Sequence, residues 1–83
     1  MDIIFTAYAE ETMIVRDISR DMIRDTLSQP FEIVHGKYGR KIAHKLVGDK
    51  LLRVIFEVRE KTYIIVTAYF TQPWRYIKHE DNV

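Results

Sequence analysis

Four side chains in this 83-residue chain have the types for phosphoryl chemistry: Arg40, His44, Arg53 and Tyr69. Cleavage of RNA by its own 2′-hydroxyl needs a base, an acid for the leaving 5′-oxygen, and cations to hold the phosphorane charge. His44 or Tyr69 could move protons; Arg53 and Arg40 could hold phosphate. The competing reading is a solvated sheet face, with Arg40 paired to Glu57 and Arg53 stacked on Tyr69. A second group lies in the tail, where Trp74, Arg75, Tyr76, Lys78 and His79 interleave aromatics with bases. Such a pattern suits stacked nucleobases and phosphates, or simply covers a sheet edge. The loop His35-Gly36-Lys37-Tyr38-Gly39 reads first as a plain turn. His35, His44 and His79 lack the close spacing of metal ligands, so no metal and no cofactor are expected. The chain has no cysteine, which excludes disulfides and thiolate catalysis.

Positioning these groups falls to the stretch Leu51–Phe70. Leu52, Val54, Phe56 and Val58 alternate with more polar positions; so do Ile64, Val66, Ala68 and Phe70. Period two on both sides of a polar break predicts a hairpin with its even positions on the core. Gly48-Asp49 predicts a two-residue loop before it. Closing that loop sets His44 opposite Arg53, Ile42 opposite Ile55 and Arg40 opposite Glu57. The apolar phase of the second hairpin sets Phe56 opposite Val66, Val58 opposite Ile64 and Arg53 opposite Tyr69. His44, Arg53 and Tyr69 then share a row on an uncovered face, with neighbouring strands about 5 Å apart.

The preceding elements read in order. Asp2–Phe5 is a first strand, and Thr6 caps a helix over Ala7–Val15. Ser19 caps a second helix, with Ile18 and Ile23 at the spacing of a hydrophobic staple. Gln29-Pro30 ends it. Phe31–His35 and Arg40–Val47 complete the strands. The expected class is α+β: two N-terminal helices packed on one face of a small antiparallel sheet, in a single domain over residues 1–83. The net charge of +1 excludes a general nucleic-acid binder that relies on bulk charge. No apolar run is long enough to cross a membrane, and no basic leader opens the chain, so a cytoplasmic protein with no membrane partner is expected.

Several short strings carry a resemblance: Phe5-Thr6-x-Tyr8-Ala9, Arg16-Asp17-Ile18-Ser19, Pro30 after the second helix, Gly36-Lys37, Leu52-Arg53-Val54 and Val66-Thr67-Ala68-Tyr69. Together they resemble a family of small domains of unknown function related to the RelE/ParE-like toxin superfamily. Members often carry His at the position of Tyr8 and Arg at that of Thr12. The resemblance implies a RelE-like fold and a metal-independent endoribonuclease of a toxin–antitoxin pair. Its partners would be a protein antitoxin and RNA or the ribosome. On this reading His44, Arg53 and Tyr69 are catalytic, and Arg40, Arg75 and Lys78 bind RNA phosphate. The alternative is a non-catalytic protein- or nucleic-acid-binding module that uses the open sheet face.

Overall fold

A computed structural model describes residues 2–76. Its elements are β1 (Asp2–Phe5), α1 (Ala7–Arg16), α2 (Arg20–Ser28), β2 (Glu32–His35), β3 (Lys41–Val47), β4 (Lys50–Arg59) and β5 (Thr62–Thr71). Single 3₁₀ turns fill Lys37–Gly39 and Pro73–Arg75. The strands form one sheet in the order β1-β5-β4-β3-β2. The class is α+β, with both helices on one face. No helix among the described residues is long and apolar enough to cross a membrane.

Local chemistry starts both helices where expected. The Thr6 hydroxyl accepts from the Ala9 amide at 3.0 Å, and the Ser19 hydroxyl accepts from the Met22 amide at 3.1 Å. These bonds satisfy first-turn donors that have no partner inside the helix. Ala9, Met13, Ile18, Ile23 and Leu27 from the helical layer meet Ala43, Leu52, Val54, Phe56, Ile65 and Ala68 from the sheet. That contact is the core.

Gly48 takes a positive φ of 61°, and β3 pairs with β4 in the expected register, His44 opposite Arg53. The second hairpin differs from expectation. Its loop is only Glu60-Lys61, both at positive φ (48° and 70°), and it closes on Arg59 opposite Thr62. That closure pairs Phe56 with Ile65 instead of Val66, and Val58 with Tyr63 instead of Ile64. A β-bulge at Val66 then restores the expected pairing of Arg53 with Tyr69. One extra residue flips the faces of everything before it. Ile65 is therefore the fully buried residue, while Val66 turns to the other face. Val58, expected in the core, is 45% exposed.

The sheet is also mixed instead of wholly antiparallel: β1 runs parallel to β5. The chain leaves β1 through two helices that cross the sheet, so its first strand ends up beside its last. Among the described residues β1 pairs only with Thr62–Ile65. Beyond it, α1 seals the edge of β5. The Thr6 hydroxyl donates to the Val66 carbonyl at 3.3 Å, the hydroxyls of Thr12 and Thr67 meet at 3.3 Å, and Arg16 Nη1 donates to the Ala68 carbonyl at 2.8 Å.

Candidate functional site

The face opposite the helices holds two adjoining features. The first is a polar row built by direct cross-strand neighbours: Glu32 on β2, His44 on β3, Arg53 on β4 and Tyr69 on β5. One chain of hydrogen bonds joins all four. Glu32 Oε2 lies 2.8 Å from His44 Nδ1, Arg53 Nε donates to His44 Nε2 at 3.1 Å, and Arg53 Nη1 donates to the Tyr69 hydroxyl at 2.8 Å. A guanidinium only donates, so His44 Nε2 is an acceptor and the ring proton sits on Nδ1, facing the Glu32 carboxylate. The Tyr76 ring covers the row, 3.7 Å from the Arg53 guanidinium carbon and 5.9 Å from the His44 ring.

The register therefore brings His44, Arg53 and Tyr69 together as the sequence predicts. The expectation of an uncovered patch is corrected: His44 is 1% exposed and Arg53 is 8% exposed. The tail after Pro73 folds back and lays Tyr76 across them. As folded, both ring nitrogens of His44 are engaged within the row. Burial above all, with hydrogen bonding to the Tyr76 side chain adding to it, raises the Tyr69 phenol above its ordinary value of 10.0, against the opposing charge of Arg53. Tyr69 is thus a protonated donor at neutral pH and not a base.

The phosphate candidates separate. Arg40 is tied to Glu57 at 3.1 Å, the pairing expected of a solvated face. Arg75 is exposed and lies over Trp74 at 5.5 Å. Lys78 and His79 lie outside the described residues.

The second feature is a groove of about 330 Å³ that runs from Tyr69 toward the Gly36–Arg40 loop. Its floor is aliphatic: Ile42, Ile55 and Val66. Tyr8 and Tyr38 stand at its walls. The aliphatic surface continues past the bulge to Ile64 and its β1 neighbour Ile4, which is 56% exposed. Tyr38 is 88% exposed and sits in the left-handed region at φ 59°.

On α1, sequence reasoning reached Tyr8 and Thr12 only through the resemblance and missed Arg16. Tyr8, Thr12 and Arg16 recur every four residues and so share one helical face. That face borders the groove and the row: Tyr8 lines the groove, Thr12 bonds Thr67, and the Arg16 guanidinium lies 5.8 Å from the Tyr69 ring. Their spacing was a readable signal. Glu32 gave none, and the aromatic tail pointed Tyr76 to a sheet edge and not across the row, because both contacts depend on how distant segments fold back.

Residues 5–70 match a family described as Domain of unknown function (DUF4258). The chain belongs to this family. No curated protein and no solved structure matches it. Every quoted string of the resemblance falls inside the matched span, which includes α1, the polar row and the groove and stops before Trp74 and Tyr76.

Proposed function

We propose that this DUF4258 domain is a non-catalytic protein-binding module that uses the sheet face opposite its helices. The observation that carries this reading is an aliphatic sheet face that the described residues leave partly open. Ile4 is more than half exposed, and Ile55, Ile64 and Val66 are only part-buried on the same side. Small soluble domains keep such faces for partners, because leaving them in water gains nothing for folding. The polar row beside it has its donors and acceptors engaged internally, which suits a strut better than a reaction centre. The resemblance to RelE/ParE-like toxins supports a small antitoxin-like protein as the partner and the cytoplasm as the place of the complex.

Co-expression with the products of the flanking genes tests this. A partner should co-purify with the wild-type chain and be lost from Ile4→Glu and Val66→Glu variants that unfold at the wild-type midpoint. A partner retained by both folded variants would place the interface elsewhere.

A second reading is a metal-independent endoribonuclease. It is favoured by the convergence of Arg53 and Arg16 on Tyr69, at 5.5 and 5.8 Å from the ring. Solvent water would take the 2′-hydroxyl proton as that oxygen bonds to phosphorus, Tyr69 would give its proton to the departing 5′-oxygen and regain one from water, and the arginines would hold the phosphate. Incubation of purified protein with single-stranded RNA decides it: cleavage lost in Tyr69→Phe supports the enzyme, and intact RNA with wild-type protein rejects it.

A further inference from the structure

Among the described residues, Arg16, Lys37 and Arg53 form no ion pair with any carboxylate, whereas Arg40 is neutralised by Glu57. These three cations stand around one place. Lys37 lines the groove at the loop end, and Arg16 and Arg53 both lie beside Tyr69 at the other. Between them the floor is aliphatic. An anion alone would find no use for that floor, and a purely apolar side chain would find no use for the cations. We infer that the groove between Tyr8 and Tyr38 takes an acidic segment of a partner protein, with aliphatic side chains seated on Ile42, Ile55 and Val66 and carboxylates drawn by Lys37 and Arg16. This rests on the protein-binding reading above and adds the chemistry of the partner.

Tyr38 supports the assignment independently. A non-glycine residue at φ 59° is strained, and such strain persists where surrounding structure or function requires it. At 88% exposure the Tyr38 ring contributes little to the core, yet it forms a groove wall beside the Arg40 guanidinium, 5.9 Å from the ring. A tyrosine held there presents a flat apolar surface with a hydroxyl at its edge, a common way to clamp a peptide. RNA fits less well. Nucleobases stack on aromatic rings and hydrogen-bond along their edges, and an aliphatic floor offers neither.

The test is a titration of the isotope-labelled chain, followed amide by amide by NMR. Three probes are used: a capped hexapeptide of alternating leucine and glutamate, its leucine–lysine counterpart, and hexauridylate. The leucine–glutamate peptide should shift the amides of Tyr38, Ile55 and Val66. Its affinity should fall at least about five-fold on raising salt from about 50 to about 500 mM, as screening of the cations requires. Lys37→Glu, a surface change, should weaken it similarly, and Tyr38→Gly, which relieves the backbone, should weaken it without loss of fold. Equal binding of the leucine–lysine peptide overturns the inference, as does hexauridylate that shifts the same amides more strongly than the acidic peptide. If neither peptide reaches the groove while a co-purified partner is still lost from Ile4→Glu, the acidic-segment inference fails and the protein-binding reading stands. If no partner is found and neither peptide binds, both fail.

Discussion

Removing the Arg53 guanidinium strips a donor from His44 Nε2 and another from the Tyr69 hydroxyl, both inside a covered row. Groups left unsatisfied in such a place cost about 1–3 kcal/mol each, so Arg53→Ala should lower stability by about 3 kcal/mol in urea unfolding. An exposed sheet arginine would cost well under that, and burial is what reverses the expectation. Arg53→Lys should recover little of it, since one ammonium cannot reproduce the fork that reaches both neighbours. Tyr69 gives a pH dependence with a definite sign. Its folded value is raised, so its contribution is complete below its ordinary value of 10.0 and is lost as pH rises through the folded value. Stability should fall above pH 10, and Tyr69→Phe should flatten that part of the profile. The alignment of His44, Arg53 and Tyr69 was legible because Gly48-Asp49 fixes one register and apolar alternation the other. The cover was not legible, because nothing in the periodicity says that Tyr76 returns across the sheet.

Element by element, the helices were the most readable part. Thr6 and Ser19 announce their own hydrogen bonds, and Ser19→Ala should cost about 1 kcal/mol by lowering the unfolding midpoint. The second hairpin was half readable. Asn-Gly or Asp-Gly would have announced a two-residue loop, but Glu60-Lys61 carries no such mark and adopts positive φ against its preference. The resulting slip and the Val66 bulge make a sharp comparison possible. Ile65→Ala should cost about 2–5 kcal/mol because it opens the core, while Val66→Ala should cost well under half as much. Equal losses would restore the simple alternation. Replacing Glu60-Lys61 by Asn-Gly should stabilise the domain by about 1 kcal/mol in the same assay, since that pair adopts the required backbone readily.

For the molecule as a whole, the two-layer architecture followed from pattern: amphipathic helices first, then strands with one apolar phase. The strand order did not, because four residues at Asp2–Phe5 could pair with either edge and in either direction. The parallel docking of β1 on β5 has a temporal meaning. Asp2–Phe5 is made before the rest of the sheet, yet among the described residues its strand partner is Thr62–Ile65. The edge bonds of α1 likewise wait for Val66, Thr67 and Ala68. On the ribosome, then, β1 and α1 wait for the last strand, whereas α2 can already pack on β3 and β4, and closing so long a loop is slow compared with forming hairpins. Nascent chains stalled before Thr62 has left the exit tunnel should be open to protease throughout Asp2–Arg16, and chains released past Thr71 should be protected in one step.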